Sequence, residues 1–161
     1  MNTKKLGDGA MTYDSTVDTF KHIAVVRGFL MRVVRSIILR AEAHDLSKLE
    51  SPEKEVFDEF TPKLAESTYG SDEYKEFLKG MGVALQHHYQ VNSHHPEHYP
   101  NGILGMSLLD LVEMLCDWKA ATMRHNNGDI LRSVELNQAR FGYSDELKQI
   151  FLNSIKELDL S

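Results

Sequence analysis

The stretch that decides the fold runs from Ser107 to Arg124 and reads SLLDLVEMLCDWKAATMR. Most of its residues are apolar and recur at helical spacing, so it predicts an α-helix placed in the core. Three carboxylates interrupt it, at Asp110, Glu113 and Asp117. Because they are separated by steps of three and four, all three share one stripe of the helix. This stripe is either the solvent face of an amphipathic helix or a set of acids paired with cations or a metal.

Helical patterns also cover most of the remaining chain. Further helix starts are predicted at Ser15 or Thr16, at Ser51, at Ser71 or Asp72, and after Tyr143-Ser144-Asp145. Thr61-Pro62 is expected to interrupt or restart the second of these helices. The third is expected to continue towards His88, weakened at Gly80 and Gly82. Residues 91–105 contain prolines and glycines and are predicted to be a loop. Since no stretch shows strand alternation, the predicted fold class is all-α, a compact bundle of about five to seven helices.

Length and composition fit one domain. The 161 residues are 42% hydrophobic and 26% charged, which is ordinary for a globular protein. Residues 1–14 are predicted to be a flexible N-terminal arm, with a single helical domain over residues 15–161. The net charge of −6 argues against binding to extended nucleic acid. The lone Cys116 excludes an intrachain disulfide framework and, with no secretory signal or membrane span in view, predicts a cytoplasmic protein.

Histidines next to carboxylates are the second notable feature. His44 precedes Asp45, and histidine pairs stand at His87-His88 and His94-His95. Imidazole and carboxylate groups together ligate Mn, Fe, Co, Ni and Zn, so the sequence predicts a site for one or two divalent transition-metal ions. The alternative for the run from His87 to His98 is a surface loop that responds to pH or chelates metal incidentally.

The spacing of two further residues constrains such a site. If its segment is helical, Lys48 lies one turn from His44, where an ammonium group and a metal can share the charge of a phosphoryl group. His22 precedes His44 by 22 residues, which is about 33 Å along one straight helix. The two histidines can therefore meet only if the chain breaks and folds back, and the expected place for that break lies between Arg35 and Glu42.

The ordered set of His22, His44-Asp45, His87-His88 and Asp117 resembles the HD-domain superfamily of metal-dependent phosphohydrolases. That superfamily is marked by a histidine, a His-Asp pair and a later aspartate on an all-helical bundle. The His-Asp-Leu-Ser-Lys segment is similar to the form found in the branch that includes cyclic-dinucleotide phosphodiesterases. The Gly-Tyr-Pro triplet of that branch is missing here, with His98-Tyr99-Pro100 nearest to it, so cyclic di-GMP is not carried over as substrate.

The chain also resembles short, largely uncharacterised proteins of bacteriophages and bacteria. These share His-Asp-Leu-Ser-Lys, Asn-x-His-His and Glu-Met-x-x-Asp-Trp stretches, which here are residues 44–48, 92–95 and 113–118. This likeness covers roughly residues 20–120 and brings no established activity with it.

The resemblance implies roles for individual residues. Ligands of a first metal would be His22, His44, Asp45 and Asp117. Ligands of a second metal, or contacts to phosphate, would be His88 and one or both of His94 and His95. The implied catalytic residues are Asp45, Lys48 and Glu113, of which Glu113 would orient a ligand or the attacking water. Phosphate charge would be offset by Lys48, Arg27 and Arg124. Whether His87 and His98 belong to the site stays open.

The function implied is a metal-dependent phosphohydrolase that acts on a nucleotide through a metal-activated water. The scissile group would be a phosphomonoester, a phosphoanhydride or a cyclic phosphodiester. The alternative is a catalytically silent domain that binds a nucleotide or sequesters a protein. The expected partner is a small-molecule nucleotide, with no extended nucleic acid and no membrane; homo-oligomerisation stays open. A phage origin would place the protein in the host cytoplasm.

Overall fold

The computed structural model describes residues 3–5, 11–67, 71–124 and 128–160. These parts contain seven α-helices and two three-residue strands, so the predicted all-α class is confirmed. The helices are α1 (Thr16–Ala43), α2 (Glu53–Glu66), α3 (Asp72–Gly80), α4 (Gly82–Val91), α5 (Leu108–Thr122), α6 (Ile130–Phe141) and α7 (Asp145–Glu157). Short 3₁₀ turns lie at Leu46–Leu49, Pro96–His98 and Gly102–Gly105. Among the described helices, none has the length and apolarity to cross a membrane.

The chain divides into two compact units, Met1–Leu39 and Arg40–Ser161. This division falls within α1 rather than at the boundary before residue 15 that the sequence predicts. In the first unit, β1 (Thr3–Lys5) and β2 (Met11–Tyr13) pair in antiparallel register, where an arm without strands was expected. Strands of three residues are too short for an alternating pattern to reveal.

The break expected between Arg35 and Glu42 is absent, because α1 continues to Ala43 as one helix. That prediction was wrong, and composition gives the reason. The segment contains neither glycine nor proline, and it ends in Leu39-Arg40-Ala41-Glu42, four residue types that propagate a helix well. The condition set for His22 to reach His44 is therefore not met.

The core of the second unit is formed by α5, α6 and α7. Its buried apolar residues are Met114, Leu115, Trp118, Ile130, Val134, Tyr143, Phe151 and Ile155. The Trp118 ring stacks on Phe141 at a centroid distance of 6.3 Å and meets the edge of Phe151 at 5.8 Å. Because one face of α5 packs in this core, the helix cannot rotate freely, and the direction in which its acidic side chains point is fixed.

The helices differ from the sequence prediction in three places. No helix was expected at α6, which begins where the Asp129 side chain accepts a hydrogen bond from the backbone N–H of Leu131. Helix α2 continues through Pro62 at the cost of one backbone hydrogen bond. The helix predicted to run into His88 is instead two helices, which meet at Met81.

The end of α3 needs a glycine. A Cβ on Gly80 would lie 2.7 Å from an atom of the Phe60 ring, so only glycine allows α3 to pass α2 this closely. The sequence also predicts a turn at Tyr69-Gly70 and a helix stop at Asn126-Asn127, and both lie outside the described residues.

Candidate metal centre

Three segments of the second unit bring histidines and carboxylates together. His44 and Asp45 follow directly after α1, and Asp45 has a left-handed backbone (φ 57°), a conformation that aspartate tolerates better than most residues. His88 lies on α4, and His94 and His95 lie in the segment that follows it. Helix α5 supplies Glu113 and Asp117.

Four of these residues form the first ligand group: Asp45, His88, His94 and His95, with one ligand atom of each lying within 4.8 Å of all the others. The Nε2 atoms of His88 and His95 are 2.9 Å apart. Asp45 Oδ1 lies 3.3 Å from His88 Nε2 and 3.5 Å from His94 Nε2. Three imidazole nitrogens and one carboxylate oxygen therefore converge on one small volume, which is a ligand set typical of Zn, Fe, Mn and related ions.

Two buried polar atoms of the first ligand group lack a hydrogen-bond partner among the described residues. They are Asp45 Oδ1 and His94 Nε2. Leaving a buried polar atom unpaired costs about 1–3 kcal/mol, and native structures rarely do so. Both atoms belong to the same group of potential ligands. A cation bound there would satisfy them together, so the donor set fits a metal.

A second ligand group consists of His44, Asp45 and Asp117. His44 Nε2 lies 3.4 Å from Asp45 Oδ2 and 3.7 Å from Asp117 Oδ1. The two groups share Asp45, whose Oδ1 faces His88 and His94 while its Oδ2 faces His44. A carboxylate that presents one oxygen to each of two groups can bridge two ions.

Glu113 holds the imidazoles of both groups. Its Oε1 lies 2.9 Å from His44 Nδ1 and 3.2 Å from His94 Nδ1, and this third set of possible ligand residues is itself compact. With Nδ1 of each ring facing Glu113, the Nε2 atoms face Asp45. This is the arrangement by which an outer carboxylate orients metal-binding histidines.

The acidic stripe of α5 does not face solvent. Asp110 is only 2% exposed, and the side chains of Glu113 and Asp117 are mostly covered, whereas Leu108 on the same helix is 80% exposed. Arg40 pairs with two of the acids, with 2.8 Å between Nη2 and Asp110 Oδ1 and 2.8 Å between Nη1 and Glu113 Oε2. Of the two interpretations of the stripe, the one in which its acids are paired with cations is correct for Asp110 and Glu113.

Burial and charge set the protonation of the cluster. Interaction with Asp117 raises the pKa of His44 to about 9. Burial and repulsion from neighbouring imidazoles lower the pKa of His95 to about 3, and burial lowers the pKa of His88 and of His94. Burial opposes ionisation of Asp117, but interactions led by His44 lower its pKa to about 2. The three histidines of the first ligand group are therefore neutral at pH 7, which is the form that binds metals.

The expected phosphate contacts occupy different surroundings. Lys48 donates to Asp45 Oδ2 at 2.6 Å and lies over the Phe57 ring at 4.9 Å. Arg124 is exposed just beyond the end of α5. Arg27 lies on the part of α1 that belongs to the first unit, as does His22, and both side chains are exposed. The roles of His22, Arg27 and Arg124 stay predictions.

Two histidines that were left open make other contacts. His87 Nδ1 lies 2.7 Å from Glu53 Oε1, and His98 Nδ1 lies 3.0 Å from the carbonyl oxygen of Tyr89. Neither belongs to a compact ligand group of the described residues. The surface-loop interpretation fails for His88 and His94, which are 2% and 1% exposed.

Glu53 and Arg40 were not predicted from the sequence to belong to the site. Glu53 is fully buried and contacts His88, although it stands in the first turn of α2, where an acid is ordinarily explained by the helix dipole. Arg40 looked like one of several arginines on the polar face of a long helix. No local signal separates such residues from their exposed neighbours.

A model of a family of unknown function, DUF5662, matches residues 11–158. The chain belongs to this family. The match spans both units, including every candidate ligand described above. No curated protein and no solved structure matches the chain. The DUF5662 family has no described activity, so a function has to be argued from the site.

Proposed function

We propose that this DUF5662 protein is a metal-dependent phosphohydrolase that acts on a nucleotide. The observation that carries the proposal is the pair of buried, unpaired atoms Asp45 Oδ1 and His94 Nε2 inside a four-residue ligand group of the described chain. A cation relieves both at once, whereas a purely structural network would leave their desolvation cost uncompensated.

A divalent metal in such a site supplies a water of lowered pKa and polarises a phosphoryl oxygen. The first ligand group would hold one ion through His88, His94, His95 and Asp45 Oδ1. The second would hold another through His44, Asp117 and Asp45 Oδ2. Mn, Fe, Co, Ni and Zn all accept such mixed ligands.

Lys48 is the cation best placed to meet substrate phosphate. Its ammonium group donates to Asp45 Oδ2 at 2.6 Å, the oxygen that a second ion would need. With that oxygen held by a metal, the ammonium group of Lys48 would be available to contact an anionic group nearby. Glu113 keeps His44 and His94 oriented and is in turn held by Arg40. The Lys48 ammonium and the metals together favour a substrate with concentrated negative charge.

The resemblance to HD-domain phosphohydrolases supports a phosphoester or phosphoanhydride as the bond that is cleaved. It also supports a nucleotide as the substrate, with a phosphomonoester, a phosphoanhydride and a cyclic phosphodiester as the candidates. The alternative function is a silent domain that binds a nucleotide. Silent relatives normally lose a ligand, and His44, Asp45 and Asp117 are all present here and close together.

The test is to count bound metal and measure turnover on the same samples. The protein is purified, loaded with Mn or Co, dialysed, and assayed for metal per chain and for release of phosphate or nucleoside from a nucleotide panel. Asp45 belongs to both ligand groups, so D45N is expected to lose all bound metal. Asp117 belongs to the second group alone, so D117N is expected to keep the ion of the first group. Both variants should lower kcat/KM by about 100-fold or more, beyond the effect typical of outer-shell residues.

The matched control is D58N, an exposed aspartate on α2 that pairs with Lys54 at 2.7 Å. It should keep the metal content and turnover of the wild type. Wild-type protein that takes up no metal, with a D45N variant that melts at the wild-type temperature, would refute the site. Full metal content without turnover of any nucleotide would favour the silent binding domain.

A further inference from the structure

Glu53 is the most deeply buried carboxylate in contact with the candidate site. Its exposed fraction is 0%, and its two oxygens face two imidazoles. Oε1 lies 2.7 Å from His87 Nδ1, and Oε2 lies 2.8 Å from His88 Nδ1. The hydroxyl of Ser47 also donates to Oε2, at 3.0 Å. Glu53 therefore connects the start of α2 with the end of α4 from inside the protein.

An ionised carboxylate only accepts hydrogen bonds, so the ring nitrogens that face it have to donate. His88 then carries its proton on Nδ1. The amide nitrogen of Asn92 also lies 3.0 Å from this atom, but its two hydrogens are directed to Ser47 Oγ and to the carbonyl oxygen of His88, each at 2.9 Å. Its other nitrogen, Nε2, keeps a free lone pair, and this atom lies 2.9 Å from His95 Nε2 and 3.3 Å from Asp45 Oδ1. Glu53 thus selects the tautomer in which His88 offers a ligand nitrogen to the first ligand group.

We propose that Glu53 is a positioning residue for metal binding, which fixes the tautomer and the ring direction of His88 from outside the ligand group. The inference rests on the proposed metal centre and adds a residue to it. Glu113 acts in the same way on His44 and His94 from the opposite element, α5. Two carboxylates would then orient three of the four imidazoles that face Asp45, in the manner of carboxylate–histidine–metal triads.

The arrangement also explains why the acid is a glutamate in the first turn of α2. Glu55 stands in the same turn and is exposed, which is the ordinary place for an acid near a helix N-terminus. Glu53 instead turns inward, where burial is costly unless its oxygens are fully used. Three donors use them, and two of these donors are histidines of α4.

The experiment compares E53Q with E55Q, its matched control from the same helical turn. Cobalt(II) is titrated into metal-free protein and followed by its visible absorption spectrum, which reports on the ligands. The glutamine side chain has only one oxygen that can accept hydrogen bonds, where glutamate has two. E53Q should therefore bind cobalt about 10–100-fold more weakly than wild type, with an altered absorption spectrum. E55Q should match the wild type. In parallel, ¹⁵N NMR of metal-free protein, with His88 assigned from a H88Q variant, should show the proton of His88 on Nδ1 in wild type and on Nε2 in E53Q.

Each outcome has a defined meaning. Wild-type protein that takes up no cobalt would overturn the metal centre itself. Cobalt binding of wild-type strength in E53Q would overturn only the role of Glu53. A loss of affinity with His88 still protonated on Nδ1 would show that Glu53 merely supports the fold, and would overturn the proposal. Should E53Q fail to fold, the ¹⁵N NMR spectrum of the metal-free wild type tests the proposal alone. A proton on Nε2 of His88 in that spectrum would contradict the proposal directly.

Discussion

At the scale of single residues, the acids of α5 divide into two kinds. Asp110 is fully satisfied by the protein: Arg40 pairs with it, and it accepts from Ser93, from Tyr99 and from the backbone and hydroxyl of Ser107. Asp117 instead faces His44 within the second ligand group. The spacing of three and four residues predicts that these acids share a stripe. It does not predict which of them serves the fold, because that depends on partners that are distant in sequence.

We expect D110N to destabilise the protein at pH 7 by about 2–4 kcal/mol, since it removes a buried carboxylate from its pair with the partly buried Arg40 and leaves its other donors without a full acceptor. Burial opposes ionisation of Asp110, but the hydrogen bonds led by those of Ser107 hold its pKa below the ordinary 3.8. A lowered pKa stabilises the fold at pH values above 3.8, and this contribution is lost as the pH falls below that value.

The difference in the free energy of unfolding between wild type and D110N, measured in urea, should therefore have its maximum value at pH 7. It should decrease only below about pH 3.8. The exposed control D58N should change the free energy of unfolding by less than about 0.5 kcal/mol at any pH. A difference that stays constant down to pH 2.5 would contradict the assignment of the Asp110 carboxylate as the stabilising group.

At the scale of elements, helix starts were more predictable than helix ends. The side chains of Ser71, Ser107 and Ser144 each accept a hydrogen bond from the backbone N–H of the third residue of their helix. Helix starts at Ser71 and Ser107 were expected from the sequence, and the last helix begins one residue earlier than expected. The break at Met81 and the continuation through Pro62 were not expected. Both depend on how α2, α3 and α4 pack, as the contact between Gly80 and Phe60 shows.

Gly142 offers a test at this scale, since it ends α6 with a left-handed backbone at φ 66°. A Cβ there would meet no atom within 4 Å, so the cost of alanine is conformational alone. We expect G142A to lower the free energy of unfolding by about 1–2 kcal/mol. Gly82 also has open space but no positive φ, so G82A should raise stability by about 0.4–1 kcal/mol. Thermal unfolding of both variants checks the prediction, and equal effects of the same sign would refute it.

At the scale of the whole molecule, the second unit combines an aromatic core with a polar centre, and α5 belongs to both. One face carries Met114, Leu115 and Trp118 into the core, while Glu113 and Asp117 face the histidines. The core does not explain the buried group around Asp45, whose unpaired atoms cost stability. A bound ion should therefore stabilise the fold as a whole.

Chelation should lower the melting temperature. An ion present at about 100 times its Kd adds about 2.7 kcal/mol, which corresponds to roughly 5–10 °C for a protein of this size. Differential scanning calorimetry with zinc and with excess chelator measures the shift. D45N should show no such shift, and D58N should show the full one. An unchanged melt of wild-type protein after demonstrated removal of metal would contradict the prediction.

The sequence by itself determined the helical class, the starts of several helices and the residue types of the candidate metal centre, because these depend on periodicity and on chemistry carried by short segments. Only the tertiary structure decided that Asp45 is shared by two ligand groups and that Glu53 is buried against His88. These features depend on atoms brought within a few ångströms by helix packing. Residues as far as 35 to 73 positions apart in sequence have to meet for them to exist, and no local pattern encodes that distance.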